Sequence, residues 1–151
     1  MPNKTEEQML QAIKDKRNFK RDNTRVEVIE FDGIETRIHV YLFSSKIFTL
    51  TDQNFTINHC GWRTNVTKSR LNALLDYYHA GAGIHRSHGA WYLRLPSKVE
   101  GVQWSWKELE TLSTDYTFPR LDIQNDEHTR ELHRSNHVHA RLDHESREIE
   151  Y

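Results

Sequence analysis

A change of hydrophobic period at Gly61 is the feature that most constrains how this chain can fold. Over residues 24–42, apolar residues such as Val26, Val28, Ile38, Val40 and Leu42 alternate with polar ones, which is the pattern of half-buried strands. Asp32-Gly33 interrupts the alternation with a hairpin signal, and two polar turns follow at residues 44–46 and 52–54. The segment therefore predicts an antiparallel meander of four short strands.

Beyond Gly61 the period becomes helical. Apolar side chains recur at positions i, i+3, i+4 and i+7, so that one helical face carries Leu71, Leu74, Leu75 and Tyr78. We expect a helix over about residues 67–80, with Thr64 or Thr67 as its N-cap. Its apolar face would pack on one face of the meander.

A second hairpin follows the helix. Residues 84–86 and 90–95 flank a Ser-His-Gly turn. Trp91, Leu93 and Leu95 lie at every second position and therefore share one face of the strand, which we expect to be buried in the core. Tyr92 and Arg94 are then expected to face outward, and residues 102–106 add a further strand or an edge.

The two ends of the chain differ from this central part. Residues 5–17 predict a short helix capped by Thr5, followed by a basic linker. Beyond Pro119, mixed charges and histidines dominate. The sequence thus predicts an α+β fold in three parts: an N-terminal helix and basic linker at 1–22, an α+β core domain at 23–106, and an acidic, His-rich extension at 107–151 that is helical or disordered.

Composition and motifs exclude several classes of protein. The chain has one cysteine, Cys60, so that no internal disulfide can form. It contains no apolar run long enough for a membrane span and no apolar signal segment at its start, and we expect no membrane partner. Glycine-rich phosphate loops, nucleophile elbows and paired-carboxylate signatures are absent from it, which favours a non-catalytic protein without a cofactor.

The histidines of the C-terminal extension raise the question of a metal. His133 and His137 are four residues apart and share one face if the segment is helical. A metal site, however, needs three or four ligands in a fixed geometry, and neither a Cys partner nor a His-Glu-x-x-His pattern lies nearby. A polar tail without metal is the prediction.

Charge is distributed unevenly along the chain, although the net charge is −1. Residues 60–98 carry an excess of five positive charges, and residues 99–151 an excess of six negative charges. The start of the predicted helix holds Arg63, Lys68 and Arg70 without an acid. Because the positive end of the helix dipole disfavours cations, this turn indicates an anion site; the alternative is that its side chains simply point to water.

The predicted site would contact the phosphate backbone of DNA or RNA, and it combines cations, hydroxyls and one aromatic ring: Arg63, Thr64, Thr67, Lys68, Arg70, Arg86, Tyr92 and Arg94. Trp62 is expected to anchor the turn that Gly61 permits rather than to stack on a base. No residue is assigned to catalysis or to a metal.

One motif spans the junction between strand and helix and reads Gly61-Trp62-Arg63-Thr64, Thr67-Lys68 and Arg70-Leu71-Asn72. It resembles the signature of a small domain found in many tailed-bacteriophage proteins. The resemblance extends over about residues 20–105 and includes Trp91-Tyr92 of the second hairpin. It implies a phage origin and a shared fold, but no particular activity. Because the single cysteine indicates a reducing, intracellular setting, we expect the protein in the cytoplasm of the infected bacterial host.

Two functions fit these features. The first is a phage accessory protein that binds nucleic acid through a basic surface around residues 61–70. The second is a phage protein that binds and modulates or inhibits a host enzyme, with the acidic extension as a nucleic-acid mimic or docking segment. A nucleic-acid titration and a pull-down of a host protein distinguish the two.

Overall fold

The computed structural model describes residues 2–31 and 33–123. Two helices, α1 (Lys4–Asp15) and α2 (Asn65–Tyr78), accompany two antiparallel sheets in this part of the chain, which confirms the α+β fold. The strands are β1 (Phe19–Arg21), β2 (Thr24–Phe31), β3 (Glu35–Leu42), β4 (Ser45–Leu50), β5 (Asn54–Ile57), β6 (Gly83–Ser87), β7 (Ala90–Pro96), β8 (Trp104–Glu108) and β9 (Tyr116–Pro119). The larger sheet has the order β1-β2-β3-β4-β5-β9, and the smaller has the order β6-β7-β8.

The predicted meander corresponds to β2, β3, β4 and β5, which pair in sequence order. In the first hairpin Thr24 lies opposite Leu42, and the register continues without a shift to Phe31 opposite Glu35. Gly33 in the connecting turn has a φ of 72°, the left-handed conformation that glycine adopts without strain. The second predicted hairpin is also present, as β6 and β7, and β8 extends it to a three-stranded sheet.

Two edge strands complete the larger sheet and were not predicted from the sequence. Residues 19–21, expected to be linker, form β1 and pair with β2 through a tight turn at Asp22 and Asn23. Residues 116–119 fall within the segment predicted as the C-terminal extension, yet they form β9 and pair with β5. Both strands are short, so each offers only one or two alternations to a sequence pattern. Residues 124–151 of that extension lie outside the described residues.

A single hydrophobic core joins both helices and both sheets. The four apolar positions predicted for α2 are all buried, namely Leu71, Leu74, Leu75 and Tyr78. α1 contributes Met9, Ala12 and Ile13, and it packs against β1, β2 and α2. The inner face of the smaller sheet closes the core with Trp91, Leu93 and Leu95, as the alternation predicted.

The helix ends differ slightly from the predicted ones. Asn3, and not Thr5, is the N-cap of α1, and it forms a capping box with Glu6. α2 begins two residues earlier than expected, with Thr64 as its N-cap, and the Thr64 Oγ1 accepts a hydrogen bond from the Thr67 N–H at 3.2 Å. The start of α2 therefore lies directly after the turn at Gly61.

Candidate functional site

The outer face of the smaller sheet collects aromatic and basic side chains from all three of its strands. Tyr92 and Arg94 lie on this face of β7, opposite to the buried residues that alternate with them. The register places His85 of β6 opposite Tyr92, and Trp106 of β8 opposite Arg94. We call this surface the sheet platform, and it consists of His85, Tyr92, Arg94, Trp104 and Trp106.

Arg94 lies at the centre of the sheet platform. Its guanidinium carbon is 4.5 Å from the centroid of the Trp104 ring, which is a cation–π distance. A Cβ at Gly83 would lie 3.4 Å from the Arg94 Nη2, so the glycine gives the guanidinium room. The Arg94 Nε is buried and has no hydrogen-bond partner among the described residues. A buried donor of this kind costs free energy until water or a ligand accepts its hydrogen bond.

The aromatic rings of the sheet platform are partly open to solvent. Trp106 is 52% exposed, and its ring meets the edge of His85 with 5.3 Å between centroids and 71° between planes. Tyr92 is half-buried between His85 and Glu108 on the neighbouring strands. Rings held on a sheet with a free face are able to stack on nucleic-acid bases.

Helix α2 brings a further cation to the edge of this surface. Asn72 docks the helix on β6, since its Nδ2 donates to the Ile84 carbonyl at 3.1 Å and its Oδ1 accepts from the Ile84 N–H at 2.6 Å. Lys68 lies one turn earlier on the same face of α2. Burial lowers the pKa of His85, and the positive charges of Arg94 and Lys68 lower it further. Both cations therefore act on the same imidazole ring.

Arg70, which the sequence analysis included in the site, lies in the interior. Its Nη1 is 2.7 Å from the Glu6 Oε2, and its Nε donates to the Thr24 Oγ1 at 2.9 Å. The first turns of α2 contain no acidic residue, and the carboxylate that neutralises Arg70 comes from Glu6 of α1. Sequence spacing gave no sign of this pair, because 64 residues separate its members.

The other predicted residues are divided between several places. Thr64 and Thr67 lie at the start of α2, with 3.0 Å between their hydroxyl oxygens, and Arg63 is half-buried beside them. Arg86 is exposed but lies opposite Trp91 in the register, and so belongs to the other face of the sheet. On or beside the sheet platform the structure gathers Lys68, Tyr92 and Arg94.

A separate cleft of about 360 Å³ opens between the β3–β4 turn and the start of α2. Phe43 and Trp62 line it and are 72% and 63% exposed. His59 lies in its wall; the His59 Nδ1 accepts from the Gly61 N–H at 2.9 Å, and the Nε2 donates to the Glu110 carbonyl at 2.7 Å. The prediction that Trp62 anchors the turn is wrong, because the ring lies in solvent at the side of this cleft.

Trp104 and Trp106 are site residues that the sequence analysis did not assign. Their spacing of two was a usable signal, since it places both rings on one face of a strand. The spacing does not give the pairing register, and only the register sets Trp106 opposite Arg94.

Neither a metal-binding cluster nor a membrane-spanning helix is found in residues 2–31 and 33–123. Within these ranges, no group of three or more His, Cys, Asp and Glu residues is arranged to hold a metal ion. The helices of the same ranges include none that is long and apolar enough to cross a membrane. His133 and His137 lie outside the described residues.

A family model described as Kyanoviridae Gp96 protein matches residues 2–118. The chain belongs to this family. Kyanoviridae Gp96 membership confirms the phage resemblance, and the match spans both helices and both sheets up to the last strand. No curated protein and no solved structure matches the chain.

Proposed function

We propose that this phage protein is a non-catalytic accessory protein that binds single-stranded DNA or RNA through the sheet platform, in the cytoplasm of the infected host. The observation that carries the proposal is the buried Nε of Arg94, without a partner among the described residues, on the same face as the exposed ring of Trp106. A phosphate oxygen would accept the hydrogen bond from Arg94 while a base stacks on Trp106 or Tyr92.

The charges around the platform support an anionic ligand. Arg94 and Lys68 both lie near enough to His85 to lower its pKa, and a phosphate would offset these two positive charges. Contacts of this kind fix the backbone of a nucleic acid without selecting a sequence.

The aromatic rings favour a single strand over a duplex. The bases of a duplex are stacked on one another, whereas those of a single strand are free to stack on side chains. Trp106 and Tyr92 provide such rings on a three-stranded sheet, and the cations provide the phosphate contacts. This division of roles is the one that single-strand binding surfaces use.

Fluorescence anisotropy with a labelled oligonucleotide tests the proposal. We expect a single strand to bind more tightly than the duplex of the same sequence, and the affinity to fall with salt by a log–log slope of about −0.7 for each phosphate contacted. If neither single-stranded DNA nor single-stranded RNA binds at low salt, the proposal is overturned.

Two substitutions separate stacking from charge. Trp106→Ala is expected to weaken binding by about 5- to 150-fold, because stacking of one base on an aromatic ring contributes about 1–3 kcal/mol. Arg94→Gln is expected to reduce the salt slope by about 0.7. The matched controls are Tyr77→Leu and Arg37→Gln, which alter an exposed ring of α2 and an exposed arginine of β3. If the controls weaken binding as much as the platform variants, the platform is not the site.

The second function, modulation of a host enzyme through the acidic extension, stays a prediction. Most of that extension lies outside the described residues. A pull-down from host lysate after nuclease treatment tests it.

A further inference from the structure

We infer that the cleft between Phe43 and Trp62 is a second binding site, which takes one unstacked nucleobase of a nucleotide. The inference rests on the proposed function, because the base would belong to the strand that the sheet platform holds. It adds a position at which the identity of a base would affect binding.

The conformation of Phe43 is the first observation. Leu42 pairs with Ser45, so Phe43 and Ser44 form a two-residue turn between β3 and β4. Such turns require a positive φ and favour Asn or Gly, yet Phe43 adopts a φ of 58° with a ring that is 72% exposed. Its N–H donates to the Asn23 carbonyl at 2.6 Å, which fixes the turn against the β1–β2 hairpin. Neither core packing nor backbone preference explains a phenylalanine here, and strained residues of this kind concentrate at binding sites.

Trp62 provides a second exposed ring on the same cleft. The chain before it turns through two residues with positive φ, Cys60 at 58° and Gly61 at 82°. The Trp62 N–H then donates to the His59 carbonyl at 2.9 Å, which closes the turn. The ring is 63% exposed although its backbone is held in place. Two exposed aromatic side chains on rigid turns thus line one cleft.

The walls of the cleft suit a flat, mostly apolar ring. Leu42 and Ile47 line its apolar part, and both ring nitrogens of His59 are already engaged within the protein. The other polar residues that line it are Ser44, Ser45, Thr64 and Thr67. A volume of about 360 Å³ lies at the lower end of the range for ligand pockets, which favours one ring system over an extended chain.

The position of the cleft favours a nucleotide over an aromatic side chain of a protein. Thr64, the N-cap of α2 in the wall of the cleft, and Lys68 beside the sheet platform are four residues apart, which is about one helical turn or about 6 Å. A base in the cleft would therefore have a cation within reach of its phosphate. The face of α2 that carries Lys68 continues to Asn72, which contacts the edge of the platform. A single strand could follow this face from the cleft to the platform.

Titration of the full-length protein with nucleoside monophosphates tests the inference by NMR, with the Trp62 indole N–H signal assigned from its loss in Trp62→Ala. We expect the signal to shift on titration, and Phe43→Gly to weaken monophosphate binding by about tenfold or more through loss of one ring. Because glycine relieves the positive φ, Phe43→Gly should fold at least as stably as the wild type. Phe43→Tyr retains a ring and should retain binding, and Trp106→Ala should leave monophosphate binding within about twofold.

The outcomes distinguish this inference from the proposed function. If oligonucleotides bind but the monophosphates do not perturb Trp62, or if Phe43→Gly binds them as well as the wild type, the cleft assignment is overturned and the platform stands. If monophosphates bind in the cleft but substitutions in the platform do not change the affinity for oligonucleotides, the cleft is a binding site and the platform is not. A stronger response to N-acetyltryptophanamide than to every monophosphate overturns the inference in favour of a protein side chain.

Discussion

Arg70 of α2 and Glu6 of α1 form a buried ion pair with 2.7 Å between the Nη1 and the Oε2. The hydroxyl of Ser69 also donates to this oxygen, whereas the Glu6 Oε1 accepts the N–H of Asn3, the N-cap of α1. One carboxylate thus completes the cap of its own helix and joins it to the second helix. Loss of either charged partner would leave the other charge buried and unpaired.

Glu6→Gln is expected to lower the free energy of unfolding by about 3–5 kcal/mol, because it removes one member of this buried pair. Urea denaturation followed by circular dichroism measures the change. Glu7→Gln is the matched control, since Glu7 is an exposed neighbour on the same helix and its loss should have little effect. A loss below about 1 kcal/mol for Glu6→Gln would mean that the pair contributes no more than a surface ion pair.

The same carboxylate makes stability depend on pH. Burial alone raises the pKa of Glu6, but hydrogen bonds from Ser69, Asn3 and Arg70, with the charge of Arg70, outweigh it and bring the pKa below its usual 4.5. The unfolded chain therefore binds this proton more readily than the folded protein does. The stabilisation is fully present above pH 4.5 and is lost as the pH falls through the folded-state pKa. Below pH 4.5, we expect the urea midpoint of the wild type to fall more steeply with pH than the midpoint of Glu6→Gln. Parallel plots of the two midpoints against pH would contradict this prediction.

Phe118 tests whether β9 is integral to the sheet. Its side chain is fully buried and lies 5.5 Å from the ring of Phe55, centroid to centroid. Phe118→Ala is expected to destabilise the protein by about 3–5 kcal/mol, since it leaves a cavity in the core. Leu112→Ala, at an exposed apolar residue of the same segment, should change the unfolding midpoint little. Equal effects of the two substitutions in thermal or urea unfolding would show that β9 contributes no core packing.

Periodic patterns predicted the parts of the fold that repeat often enough to be read. The alternation over residues 24–42, the polar turns after it and the apolar face of α2 gave the meander and the helix, and the alternating core residues of β7 gave the second hairpin. β1 and β9 are three and four residues long, and their places at the edges of the sheet depend on distant partners. No local pattern carries that information.

The site was harder to predict because its geometry depends on contacts distant in sequence. Arg70 had the sequence context of an anion-binding cation, yet Glu6 of another helix neutralises it in the interior. Trp106 belongs to a short strand, and its place opposite Arg94 follows from the β7–β8 register. Charge and residue type thus indicated the region, whereas tertiary pairing decided which side chains remain on the surface.

His85 should make nucleic-acid binding depend on pH if the sheet platform is the binding surface. Burial lowers the pKa of His85 below its usual 6.5, and the charges of Arg94 and Lys68 lower it further. A bound phosphate offsets those charges and favours the imidazolium, so binding takes up a proton. Affinity therefore rises as the pH falls toward the pKa of His85, by at most about tenfold per pH unit. Anisotropy titrations at constant ionic strength measure this rise, and His85→Gln should flatten it. The matched control is His88→Asn, at an exposed position of the β6–β7 turn, which should retain the wild-type pH dependence of binding. If the affinity of His85→Gln rises with falling pH as much as that of the wild type, the titrating group is not His85.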